Sequence, residues 1–105
     1  MTKPRLVIVE SPYRGDLAKN IAYALACLHD SLRRGEAPFA SHLLYTRVLD
    51  DDQADERAQG IAAGLAWAAR ADATVVYTDL GISGGMQLGI AAAMADGRPV
   101  EYRTL

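Results

Sequence analysis

Thr74-Val-Val-Tyr-Thr-Asp-Leu-Gly-Ile-Ser-Gly-Gly-Met86 runs from a β-branched apolar stretch, through a turn with three glycines, into a segment with Met86, Ile90 and Met94 at helical spacing. This predicts a buried strand over 74–77, a glycine-rich turn begun by Thr78-Asp79, and a helix closed by Gly97 and Pro99. Toward the N-terminus, Leu6-Val-Ile-Val9 has the same strand character and stops at Glu10. Ser11-Pro-Tyr-Arg-Gly-Asp16 follows as a second turn, and Asp16 is placed to cap a helix. That helix carries Leu17, Ile21, Leu25, Leu28 and Leu32 and ends at Gly35. Pro38-Phe-Ala-Ser41 predicts a weaker strand, and residues 42–49 form a connection without a clear period. Asp50-Asp-Asp52 opens a helix with Ile61, Leu65 and Ala69, and Val100-Glu-Tyr-Arg103 is a last short strand.

Strands alternate with helices throughout, which requires a parallel sheet joined by right-handed crossovers. The expected fold is a flavodoxin-like, Rossmann-like three-layer α/β sandwich with four strands in the order 2-1-3-4, forming one domain over residues 1–105. In that order the chain reverses direction between the first and third strands. Ligands of such sheets bind beyond the carboxyl ends of the strands at the reversal. The two turns nominated there are Ser11–Asp16 and Thr78–Met86.

Composition narrows the function classes. The chain has 105 residues, half of them apolar and 23% charged, with a net charge of −2. No basic run exists to bind nucleic acid or an anionic membrane, so neither is expected as a partner. Cys27 is the only cysteine, which excludes an intrachain disulfide and a multi-cysteine zinc site. The apolar run near the N-terminus is too short for a signal peptide or a membrane span, and the expected location is cytoplasmic. A chain this small buries a limited core, so a homodimer or larger homo-oligomer is expected. Gly60 and Gly64 give one helix a flat face for close packing, within the chain or between subunits.

Each turn supports two readings. Gly81, Gly84 and Gly85 allow close backbone approach, and the helix start favours an anion such as phosphate; equally, Ser83 is simply an N-cap. In the first turn Arg14 suits a phosphate or carboxylate and Tyr13 suits stacking on a base, whereas the plain alternative is an exposed turn with a cap. His42 follows the second strand and is within reach of the site or structural. The acids between Asp50 and Glu56 read as a solvated helix start rather than a magnesium site. His29 and Cys27 are explained by helix packing.

Four segments also carry a resemblance: Ser11-Pro-Tyr-Arg-Gly-Asp16, Pro38-Phe-Ala-Ser-His-Leu-Leu44, Leu49-Asp-Asp-Asp52 and Asp79-Leu-Gly-Ile-Ser-Gly-Gly-Met86. They resemble an uncharacterised bacterial and phage family, itself similar to the nucleoside 2-deoxyribosyltransferase superfamily. The resemblance implies a flavodoxin-like fold, a nucleoside or nucleotide ligand and an oligomer with shared sites; separately, no cofactor or metal is expected. The implied ligand-binding set is Ser11, Tyr13, Arg14, Gly15, Asp16, His42, Asp79, Gly81, Ser83, Gly84, Gly85, Met86 and Gln87. Enzymes of that superfamily attack the sugar with a helical glutamate, helped by a second carboxylate. Gln87 falls at the first position and Gly64 at the second, so both acids are missing. Three expectations follow: a nucleotide-binding protein without the usual nucleophile, an N-glycosidase or deoxyribosyltransferase using a displaced carboxylate such as Asp79, or a structural, partner-binding module.

Overall fold

The computed structural model describes residues 3–105; Met1 and Thr2, at the start of the expected domain, lie outside the described residues. Four strands, β1 (Leu6–Glu10), β2 (Ala37–Phe39), β3 (Ala73–Tyr77) and β4 (Val100–Arg103), form one parallel sheet in the order β2-β1-β3-β4. The register sets Val7 beside Ala73 and Val75 beside Glu101. The flavodoxin-like α/β arrangement expected from the alternation is therefore the observed one.

Helices α1 (Leu17–Arg33), α2 (Ser41–Leu44), α3 (Ala54–Ala68) and α4 (Gly84–Ala95) connect the strands, with a 3₁₀ turn over Tyr45–Arg47 after α2. Successive strand residues point to opposite faces. Val7, Val9, Ala73, Val75 and Tyr77 pack with Cys27 of α1 in one core layer. Ile8, Glu10 and Thr74 point the other way, toward α3 and α4. This division places Glu10 on the side of the sheet opposite α1.

Several boundaries differ from expectation. The second strand is Ala37–Phe39 instead of 38–41, because Ser41 already begins α2. Asp50, Asp51 and Asp52 precede α3 rather than opening it. Short aspartates bond nearby backbone in turns: the Asp52 N–H donates to Asp50 Oδ1, and the Asp50 N–H donates to Glu56 Oε1. The unpatterned segment after β2 is the short α2 and its 3₁₀ extension.

In α1 the leucines mark the helix but not its buried face. Asn20, Ala24, Cys27 and Ser31 are buried, while Leu17, Leu25 and Leu32 are 46%, 53% and 58% exposed. Small residues let α1 approach the sheet closely, and two polar ones fasten it. Asn20 Nδ2 donates to the carbonyls of Tyr13 and Arg14, and Ser31 Oγ donates to Glu36. Beyond α1, the same side of the molecule is tied by ions: Arg103 and Arg5 both pair with Glu36 and Glu101. No described helix is long and apolar enough to cross a membrane.

Candidate functional site

A cleft of about 380 Å³ opens between the sheet, α3 and α4. Ile8 and Thr74 belong to its floor, Gly64 and Ala68 to the α3 wall, and Met86 and Gly89 to the α4 wall. His42 and Tyr45 close one end, while Arg14, Asp51 and Arg57 stand among the charged residues that line it. The cleft includes Glu10 and Ser11, where β1 ends, and Ser83 to Met86, where α4 begins. This is the chain reversal at which open α/β sheets hold ligands.

Two glycines shape the walls. A Cβ on Gly64 would lie 2.7 Å from Ser41 Oγ, so α3 receives α2 of the same chain on its flat face. Gly60 likewise faces Leu49 and Tyr45. The glycine face of α3 thus serves packing within the chain. On α4, a Cβ on Gly89 would collide with the Glu10 carboxylate. With the carboxylate in this position, α4 has no room for a side chain at Gly89.

Burial raises the Glu10 carboxyl to about 8, opposed only by the positive charge of Arg98. Arg98 is itself buried; its Nε donates to Thr74 Oγ1 at 3.1 Å and its guanidinium pairs with Asp96 at 3.0 Å. His42 Nε2 lies 2.8 Å from Ser11 Oγ, and the Tyr13 ring stands edge-on to the imidazole at 6.2 Å. Burial lowers His42 to about 4, so its ring is neutral at pH 7. The cleft therefore combines a carboxylic acid that retains its proton near neutrality with an uncharged imidazole. A carboxylic acid of this kind can donate a hydrogen bond or a proton.

Of the residues nominated from sequence, Ser11, Tyr13, Arg14, His42, Ser83, Gly84, Gly85 and Met86 line this cleft. Gly15 lines an adjoining hollow with Tyr13, Arg14 and the three aspartates. Asp16, Asp79, Gly81 and Gln87 line neither. Asp16 caps α1 by accepting from the Lys19 N–H. Gly81 turns the chain with φ of +86°. Asp79 accepts from the Tyr23 hydroxyl at 2.7 Å and from the Leu105 N–H at 3.0 Å, which keeps its carboxyl below the ordinary range. Ser83 caps α4 by accepting from the Met86 N–H.

Sequence reasoning passed over Glu10, Arg98 and Gly89. Glu10 ended an apolar run and was read only as its boundary. Its alternation with Ile8 was the available signal, since a period of two sends both to one face. Gly89 and Arg98 gave no local signal at all, because their partners are distant in the chain.

The sequence matches the family described as "Domain of unknown function (DUF7768)" over residues 5–103. No curated protein matches it. Among solved structures it is similar to a 2-deoxyribosyltransferase from the psychrotolerant bacterium Bacillus psychrosaccharolyticus. The TM-score is 0.66 at 18% identity, over 94% of this chain and 72% of that one. At this identity the likeness is one of fold, in keeping with the sheet order. With nearly its whole length matched, the chain belongs to the family described as Domain of unknown function (DUF7768), on a 2-deoxyribosyltransferase-like α/β fold.

Proposed function

We propose that the chain binds a nucleoside or nucleotide in the cleft between β1, α3 and α4. The carrying observation is the position of a 380 Å³ cleft at the chain reversal, on a fold shared with a 2-deoxyribosyltransferase. Its volume lies within the range of roughly 300–1,000 Å³ common for small-molecule sites. Tyr13 offers a ring for the base or sugar. Arg14 and the N-terminus of α4 at Gly84 and Gly85 offer positive ends for sugar or phosphate oxygens. That α4 contains no acid supports a binding reading without the helical glutamate of the superfamily.

A thermal-shift series with nucleosides, nucleotides and dinucleotides tests the reading, because a ligand that binds only the folded chain raises its melting temperature. Stabilisation by at least one of these ligands is expected. Failure of all of them, with calorimetry also flat, leaves the partner-binding alternative in possession. The same proposal includes self-association. Trp67 and Met94 are 61% and 70% exposed, and α4 carries no charge along its length. Sedimentation at micromolar concentration should show a dimer or larger; a monomer of 11.3 kDa throughout would refute it.

The reading with a displaced carboxylate changes its candidate. Asp79 is held by Tyr23 and Leu105 outside the cleft, whereas Glu10 lies within it. That placement favours Glu10 over Asp79 for any chemistry at the site.

A further inference from the structure

We propose that Glu10 is the general acid of an N-glycosidic bond hydrolysis in this cleft, acting on the nucleoside or nucleotide whose binding is proposed above. The inference rests on that binding reading and adds a reaction to it. Three geometric facts carry it. Glu10 leaves the end of β1 on the α3 and α4 side of the sheet and lines the cleft. Its carboxylate lies against Gly89, the one position on that part of α4 where no side chain displaces it. Arg98, held by Thr74 and Asp96, lines the same cleft.

The chemistry follows from the surroundings. Burial keeps the proton on Glu10 near neutral pH, so the group can give one up to a departing base. The C1′–N bond breaks and its electron pair goes to the base, which takes the Glu10 proton. A water oxygen bonds to C1′, and the proton released from that water returns to Glu10. One water is consumed, and the products are the free base and a sugar with a hydroxyl at C1′. Between these events Glu10 is a carboxylate beside an oxocarbenium-like sugar, whose positive charge it stabilises. The buried Arg98 favours that same ionised form. The other ionisable groups lining the cleft are Tyr13 and Arg14 from the first loop, His42 from α2, Tyr45 after it, Asp51 before α3, and Glu56 and Arg57 in α3.

The test uses the full chain with deoxyadenosine and deoxyadenosine 5′-monophosphate as probes. Free base is followed by chromatography between pH 5.5 and 9.5, and binding is followed by calorimetry. Base release is expected, with a rate that falls about tenfold per pH unit once Glu10 loses its proton above about 8. Glu10→Gln should slow release by roughly 10²–10⁴-fold, the usual contribution of a general acid, while the Kd changes by less than about threefold. Glu10→Asp keeps an acid on a shorter arm and should retain part of the rate; it also serves if the amide variant misfolds by circular dichroism. Binding without release by the wild-type chain overturns the proposal and leaves the binding reading intact. Release that Glu10→Gln does not slow also overturns it. Absence of binding by both probes, with no release, overturns the proposal, and the wider ligand series then decides the binding reading.

Discussion

The Glu10 carboxylate occupies the volume that a side chain at Gly89 would need. One residue ends the first strand and the other lies in the last helix, so the contact fixes how closely α4 passes over the end of β1. It also places an acid in the cleft from the end of the sheet.

Gly89→Ala should therefore separate stability from site geometry. The added methyl meets the end of a flexible side chain, which can swing aside, and alanine is favoured over glycine in a helix by about 1 kcal/mol. Unfolding free energy should change by less than about 1 kcal/mol as a result. The Glu10 carboxyl, pushed toward solvent, should titrate below the wild-type value of about 8. Carbon-13 NMR titration of the glutamates reads this directly. An unmoved Glu10 titration would show that α4 shifts instead of the carboxylate.

Glu10→Gln should stabilise the chain above neutral pH. Glu10 has a folded value near 8 against 4.5 for the free group, so the folded chain keeps a proton that the unfolded chain has lost. Stability then falls as pH rises from about 4.5 to 8 and levels off above, where the buried charge must be borne in full. The amide carries no such charge. Its advantage should grow across that window to the order of 4–5 kcal/mol, with no difference near pH 4. Urea denaturation at pH 4, 6 and 9 measures it; a constant offset at all three would assign the effect to packing.

Arg14 does not wait for a phosphate with its charge unpaired. It stands 3.2 Å from Asp52 and 3.5 Å from Asp51, on a half-exposed side chain. Arg14→Ala should weaken a nucleotide more than its parent nucleoside, since a charge-assisted contact contributes about 1.5–3 kcal/mol and only the nucleotide makes it. Asp52→Asn should do the reverse by releasing the guanidinium, tightening the nucleotide a fewfold. Paired calorimetry on both ligands decides. Equal losses in Arg14→Ala would mean that the residue shapes the loop through the aspartates.

The parts of this fold that were legible in the sequence are those whose signals are local. Leu6–Val9 and Thr74–Tyr77 are legible as strands, doubly buried but for the exposed Leu6, and Asp16 and Ser83 cap the helices they were expected to cap. The rotation of α1 was not legible, because its leucines form a regular stripe while the contact with the sheet is made by Ala24, Cys27 and Ser31. A close-packed face selects small residues, and a hydrophobic period does not weigh size. The site divided in the same way: turn chemistry pointed to Tyr13, Arg14 and the glycines. Glu10 acquires its character only from Gly89 and Arg98, which the chain brings to it from elsewhere.

The ion cluster on the α1 side offers a test far from the cleft. Arg103 holds Glu36 with both nitrogens, at 2.6 and 2.7 Å, and Arg5 and Ser31 add contacts at 2.8 Å each. The Arg103 guanidinium keeps the Glu36 carboxyl at about 2, against an ordinary 4.5. A folded value below the unfolded one means stability that is complete above about 4.5 and is lost as pH falls toward 2. Arg103→Met removes the cation and leaves a nearly buried carboxylate with Arg5 alone, whose side chain is 41% exposed. The loss should be about 2–3 kcal/mol at pH 7, somewhat less than for a buried pair with no second cation. It should shrink as pH falls below 4, because the variant can then protonate Glu36 while the wild type still holds it ionised. Adding Glu36→Gln should recover part of the loss at pH 7, since no charge then remains to be solvated. Urea unfolding of the three proteins at pH 7 and pH 3 gives the comparison. A loss in Arg103→Met that is the same at both pH values, and unrelieved by the second change, would show that the arginine acts through its contact with the Tyr77 ring and not through Glu36.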